Sequence, residues 1–176
     1  MKVALIRHMA PLIAPGVCYG RLDVPLTAAG LEEIPSLAAH TALADMRLIW
    51  SSPAKRCWAA ADAIAEFLSA EVIVDSRLLE MDFGDWEGKA WDDIPRDALD
   101  RWAAAPEEFA APGGESGAAL LARVGGFADD LRQKGRDCVV VSHGGPLKVL
   151  SALLNGAPVD LLAPAPAIGS VTVVMC

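Results

Sequence analysis

Two of the three histidines in this chain stand where a short apolar run gives way to polar residues. Arg7-His8 follows directly on Val3-Ala4-Leu5-Ile6, and Ser142-His143-Gly144-Gly145 follows on Cys138-Val139-Val140-Val141. Runs of this length with no polar face read as strands buried on both sides. In open α/β sheets, ligands sit beyond the carboxyl ends of the strands. If these two strands are neighbours, both imidazoles share one crevice. Arg7 offers a planar donor fork matched to phosphate oxygens. Gly144-Gly145 lets the backbone approach a ligand closely, and the helix expected after it favours an anion at its N-terminus. The spacing of a Walker loop is absent. These pieces together suggest a dianion held beside an imidazole.

Arg56 adds a second guanidinium. It falls in the first turn of the helix expected after Ser51-Ser52-Pro53, at the end of a third apolar run, Leu48-Ile49-Trp50. Position alone favours a solvated helix residue beside Lys55. A histidine nucleophile at phosphorus needs a neutral, oriented imidazole, cationic donors for the equatorial oxygens and a proton for the leaving oxygen. The proton donor should be a carboxylic acid whose pKa is raised by partial burial. Leu78 to Gly88 offers Glu80, Asp82, Asp85 and Glu87 among apolar and aromatic residues, and periodicity does not choose between them. His40, near a helix C-terminus, reads as a surface or capping residue.

The elements that must position these groups alternate between strand and helix, which argues for an α/β domain with a largely parallel sheet. Thr27 is expected to cap a helix over Ala28 to His40, bent or shortened by Pro35. Ser52 as N-cap and Pro53 at the first helical position open another through Leu68. Glu115 to Lys134 carries apolar residues at helical spacing, weakened at Gly125-Gly126. Pro146 to Leu154 is helical, and β-branched Ile168 to Met175 closes the chain as a strand. The segment from Trp86 to Gly114 is the least regular, with three Trp, three Pro and clustered acids. It reads as an excursion overhanging a site at the strand ends.

The totals narrow the function. The chain has 176 residues, 53% of them hydrophobic and 22% charged, enough for one domain with a substantial core. A net charge of −8 repels nucleic acid, so any phosphate site must be a local basic pocket in an acidic surface. Cys18, Cys57, Cys138 and Cys176 form no C-x-x-C pair and suggest neither zinc nor disulfides. The start of the chain does not resemble a signal peptide, and no apolar stretch approaches the ~20 residues of a membrane span. The expected setting is cytoplasmic, with no membrane contact. Several apolar stretches are candidates for a homodimer surface.

In their order along the chain, these fragments resemble the histidine phosphatase superfamily, also called phosphoglycerate mutase-like. The resemblance rests on Leu5-Ile6-Arg7-His8-Met9, Tyr19-Gly20-Arg21-Leu22-Asp23-Val24-Pro25-Leu26-Thr27-Ala28-Ala29-Gly30, the SSPAKRCWAAA run at Ser51, the LLEMDFGDWEG run at Leu78, Pro112 to Ser116, and Val141 to Gly145. The resemblance implies that His8 is the phosphorylated nucleophile, that Arg7, Arg56 and His143 form the phosphate pocket and that Glu80 is general acid and then base. Tyr19, Gly20 and Gly144 would contact the substrate, a small phosphate ester. It implies one domain over residues 1–176, a three-layer α/β/α sandwich with a mainly parallel, mixed sheet, and neither cofactor nor metal. The style of the motifs is closest to the branch of α-ribazole phosphatase-like proteins.

Met9 replaces the usual Gly, Ala10-Pro11-Leu12 replaces an E-T stretch, and Trp58 stands where smaller residues are usual, departures expected to affect substrate choice and rate. Mutases of the family carry extra segments that shield phosphohistidine from water. This chain ends at Cys176 without them, so hydrolysis is expected over phosphoryl return. A phospholigand-binding pseudoenzyme would not need the acid at position 80. A metallohydrolase lacks H-x-H or H-E-x-x-H spacing, and the arginines would repel its cation.

Overall fold

The computed structural model describes residues 1–176. Five strands form one sheet: β1 (Lys2–Arg7), β2 (Leu48–Ser51), β3 (Glu71–Val74), β4 (Cys138–Ser142) and β5 (Val171–Met175), in the order β3-β2-β4-β1-β5. The first four are parallel, and β5 runs antiparallel to β1 at the edge. The helices are α1 (Ala28–Ala38), α2 (Lys55–Leu68), α3 (Arg96–Ala104), α4 (Gly117–Lys134) and α5 (Gly144–Leu154).

Alternation along the buried strands builds two separate cores, because successive side chains point to opposite faces. Val3, Leu5, Trp50, Cys138 and Val140 face α4 and α5, where Leu120, Val124, Phe127, Leu131 and Leu150 meet them. Ala4, Ile6, Ile49, Val139 and Val141 face α1 and α2, packing on Ile34, Leu37, Cys57, Ala60 and Ile64. This is the three-layer sandwich with a mixed, mainly parallel sheet. A smaller cluster of Cys18, Trp86, Ile94, Ala98 and Ala111 supports the segment beyond the strand ends.

Thr27 caps α1 as expected, its hydroxyl accepting from Gly30 N at 3.0 Å, and α1 runs through Pro35 before stopping at Ala38. His40 caps the following single turn, with Nδ1 accepting from Ala42 N at 3.2 Å. The start of α2 corrects the sequence reading. Its N-cap position is Ala54, which has no side chain to cap with, and Ser52 lies before the helix. The cap comes from outside: Asp23 Oδ1 accepts from Lys55 N at 2.8 Å. Ser116 caps α4, which begins at Gly117 rather than Glu115. Helix α5 begins at Gly144, two residues before the expected start, and β5 begins at Val171 rather than Ile168.

Two elements were not read from sequence. β3 is a four-residue edge strand, and α3 sits inside the excursion expected to be irregular. The four cysteines are free, three of them buried. No helix is long and apolar enough to cross a membrane.

Candidate active site

Strands β1 and β4 are hydrogen-bonded neighbours at the centre of the sheet, with Arg7 opposite Ser142. His8 and His143 therefore leave the sheet side by side at its carboxyl edge. The shared crevice expected of these strands is observed, with ring centroids 5.2 Å apart and planes at 68°. β2 ends beside them, and Ser52 N continues the ladder to Val141 O at 3.0 Å.

His8 is 1% exposed. Its Nδ1 lies 2.7 Å from the carbonyl of Met9. A carbonyl only accepts, so Nδ1 carries the proton and Nε2 presents its lone pair. Burial strips hydration from the imidazolium and lowers the His8 pKa from 6.5 to about 4, against the Met9 hydrogen bond and helped by the charges of Arg56 and Arg7. At neutral pH the ring is uncharged and oriented, with the Nε2 lone pair unprotonated.

Arg56 is wholly buried without a carboxylate partner. Nη1 donates to Leu22 O at 2.7 Å, Nη2 to Gly20 O at 2.6 Å and Nε to His143 Nδ1 at 3.2 Å, while the guanidinium lies over the Tyr19 ring at 5.2 Å. Five N–H groups against three such bonds leave donors free for an anion. Elsewhere Arg21, Arg77 and Arg123 are ion-paired to acids. Arg7 is likewise unpaired: Nη1 donates to Pro166 O at 2.7 Å, and its buried Nε has no partner. A buried orphan donor beside a buried unpaired cation is what an absent oxyanion would satisfy.

His143 is fully buried, and burial, followed by the charge of Arg56, lowers its pKa well below the usual imidazole value. Because Arg56 Nε can only donate, Nδ1 of His143 accepts, and Nε2–H donates to Ser52 Oγ at 2.8 Å. Both nitrogens are therefore engaged, and Ser52 joins the site instead of capping α2.

The Glu80 carboxyl group rests on the N-terminus of α5. Oε1 accepts from Met81 N at 2.9 Å and Gly145 N at 3.2 Å, and Oε2 lies 3.3 Å from Gly145 N. Gly144 and Gly145 both line the cavity beside Arg7 and Glu80, and the Gly145 N–H is already engaged by Glu80. A Cβ on Gly145 would collide with Glu80, and one on Gly144 with Ala165 and closely with Arg7. The two glycines make room for the Glu80 carboxyl group and the Arg7 guanidinium.

The loop that holds Arg56 is itself held. Glu87 accepts from Arg21 N and Leu22 N at 2.8 Å each and from Phe83 N at 3.0 Å. Gly20 adopts φ +26°, and a Cβ there would strike Glu87 and the Met81 carbonyl. Of the four acids between Leu78 and Gly88, Glu80 alone lines the cavity beside Arg7, whereas Glu87 ties the loop and Asp82 pairs with Arg21. The contacts that bring Ser52, Asp23 and Glu87 to the site have no local signal in the sequence, since these partners lie 32 to 91 residues away.

Neither Met9 nor Trp58 lines the cavity beside Arg7 and Glu80. The Met9 side chain is buried in the core against α1 and α2, and Trp58 is 41% exposed on the outer face of α2. Beside Arg7 and Glu80 opens a cavity of about 310 Å³, walled by Phe83, Trp91, Trp102, Pro106 and Leu161. The excursion does overhang the strand ends.

Residues 3–175 match the model of the histidine phosphatase superfamily (branch 1). Phosphoserine phosphatase 1 of Hydrogenobacter thermophilus is 34% identical over 168 residues, 92% of this chain and 78% of the relative. The crystal structure of the alpha-ribazole phosphatase from Shigella flexneri superposes with a TM-score of 0.88 at 27% identity, covering 98% of this chain and 89% of that one. The native mycobacterial glucosyl-3-phosphoglycerate phosphatase gives 0.85 at 28% identity, covering 98% and 88%.

Proposed function

The chain belongs to the histidine phosphatase superfamily, and on that footing we propose that it is a metal-independent phosphomonoesterase working through phosphohistidine at His8. The observation that carries this reading is the His8 ring itself: neutral near pH 7, anchored through Nδ1–H, and set beside two guanidinium groups with no carboxylate of their own.

In the first step Nε2 of His8 attacks phosphorus and the P–O ester bond breaks, its electron pair leaving with the ester oxygen. Glu80 gives that oxygen a proton, and the alcohol departs. Free donors of Arg56 and the orphan Nε of Arg7 hold the equatorial oxygens, which gain charge in the transition state. A phosphoryl oxygen competes with Ser52 Oγ for Nε2–H of His143, which also keeps Arg56 in place. Glu80, now a carboxylate, then takes a proton from water as that water attacks phosphorus. The P–N bond breaks and its electrons return to His8.

Hydrolysis is favoured over phosphoryl return because the relatives above are named phosphatases. The two site cations favour an anion over a bound metal ion. A cavity of about 310 Å³ suits a small ester, at the lower end of small-molecule sites.

The acid role is tested by Glu80→Gln on esters of differing leaving group. Turnover of an alkyl phosphate, whose alkoxide needs a proton, is expected to fall roughly 10²- to 10⁴-fold. That of p-nitrophenyl phosphate, whose phenolate leaves unaided, is expected to fall far less, with KM little changed for both. Equal losses on the two esters would remove Glu80 from this role and make Asp82 the next residue to test. EDTA is expected to leave both rates unchanged, and inhibition by it would contradict the metal-free reading.

A further inference from the structure

The cavity beside Arg7 and Glu80 carries more information than its size. Its far wall is aromatic. Trp91 and Trp102 lie nearly parallel, 17° apart with centroids at 6.3 Å, and Phe83 meets both edge-on at 5.4 and 6.2 Å. All three are half-buried, so part of each ring surface is left to the cavity. Trp86, buried behind them, stacks edge-on with both indoles and fixes the group as one unit.

The polar inventory of the wall is short. Apart from Arg7 and Glu80, which serve phosphoryl transfer, its one charged side chain is Lys148. That ammonium already donates to the carbonyls of Leu161 and Ala163, tying α5 to the segment that closes the cavity. No second carboxylate faces the space. An amino-acid or sugar leaving group would set several hydrogen-bonding groups against a wall whose hydroxyl and carboxyl side chains are Tyr19 and Glu80 alone, leaving most of those groups without partners, which is costly. A flat, uncharged ring replaces water on the indole faces without that cost, because aromatic contacts add to the burial of apolar area.

We propose that the alcohol released by this site is aromatic: a phosphate ester whose phosphoryl group lies at Arg7 and His8 and whose uncharged planar ring packs on Trp91 and Trp102. The proposal rests on the phosphatase reading and sets this chain apart from its phosphoserine phosphatase relative. Trp102 is then a specificity residue, touching the leaving group and not the reacting atoms.

The test compares alkyl esters only, so that leaving-group acidity does not masquerade as recognition: benzyl phosphate and 2-naphthylmethyl phosphate against O-phosphoserine and glycerol 3-phosphate. The aromatic esters are expected to exceed the polar ones in kcat/KM by on the order of 10²-fold, mostly through KM. In Trp102→Leu the ratio of naphthylmethyl to glycerol ester is expected to fall about tenfold, and in Trp102→Phe to recover most of it. Circular dichroism and the glycerol ester rate, taken on the same preparations, separate loss of recognition from loss of folding. If O-phosphoserine or glycerol phosphate is the better substrate, or if the ratio is unmoved in folded Trp102→Leu, the aromatic assignment is overturned while the phosphatase stands. If no ester in the panel is turned over, the phosphatase reading fails first.

Discussion

Neutral His8 combines two consequences of burial. The ring that loses its hydration shell keeps its Nε2 lone pair down to about pH 4, while the Met9 carbonyl fixes which nitrogen is free. Protonation of His8 would remove the proposed nucleophile, so once the substrate's own second phosphate ionisation, at about pH 6, is divided out, the acid limb of kcat/KM is expected to lie near pH 4 and not near the ordinary imidazole value of 6.5. A corrected profile with its acid limb still at pH 6 to 7 would mean that the reactive ring is hydrated or another residue. Residue types were the most legible part of the site: His8, Arg7, Arg56 and His143 all sit where strand ends place them. Choosing Glu80 from four acids took family resemblance, because the selecting contact, Gly145 N–H, lies 65 residues away. The internal engagement of His143 with Ser52 and Arg56 has no signature in sequence at all.

Elements position these residues through contacts that are long-range and polar. Arg123 on α4 shows this best. Nη1 donates to the carbonyls of Arg77 and Leu79 at 2.6 Å each, and Nη2 to Glu80 O at 3.0 Å and Glu115 Oε1 at 2.6 Å. One guanidinium thus fixes the backbone that carries the proposed acid. Arg123→Met is expected to leave those acceptors and the Glu115 charge unpaired, costing about 3 kcal/mol in urea unfolding. Its kcat should fall more for an alkyl phosphate than for p-nitrophenyl phosphate, the mark of a displaced acid. Equal stability with unchanged selectivity between the two esters would deny Arg123 this positioning role. The central strands were legible because they are apolar on both faces. β3 was not, since it is four residues long, at the sheet edge and half-exposed, and α3 was hidden by the aromatic and acidic residues around it. The cap of α2 was misread for a related reason. Ser-Pro is a sound local start signal, but Asp23 supplies the cap and frees Ser52 for His143.

For the whole molecule, an acidic chain of net charge −8 holds the proposed phosphate site as a pocket of two unpaired arginines, the local basic patch its charge balance calls for. Burying two neutral imidazoles also links stability to pH. The unfolded chain takes up a proton at His8 near pH 6.5 and the folded one only near 4, so between these values the unfolded state binds more protons. The stabilisation is full above about pH 6.5 and is lost as pH falls through that window. For His8 the loss between pH 7.5 and 4.5 is expected to be roughly 2 to 3 kcal/mol. Urea unfolding of wild type and His8→Asn at both pH values measures it: the variant should lose less stability on acidification by about that amount. Equal losses would show that the His8 ring titrates normally in the folded protein.

The central claim is tested most directly by rapid-quench labelling with a phosphorus-labelled aryl phosphate in the presence of chelator, quenched in base, for wild type and His8→Ala. The account predicts an acid-labile, base-stable phosphoryl group on wild type, formed and discharged at the rate of turnover, and none on His8→Ala. Steady phosphate release by wild type without any trapped label, or equal labelling of His8→Ala, would contradict it.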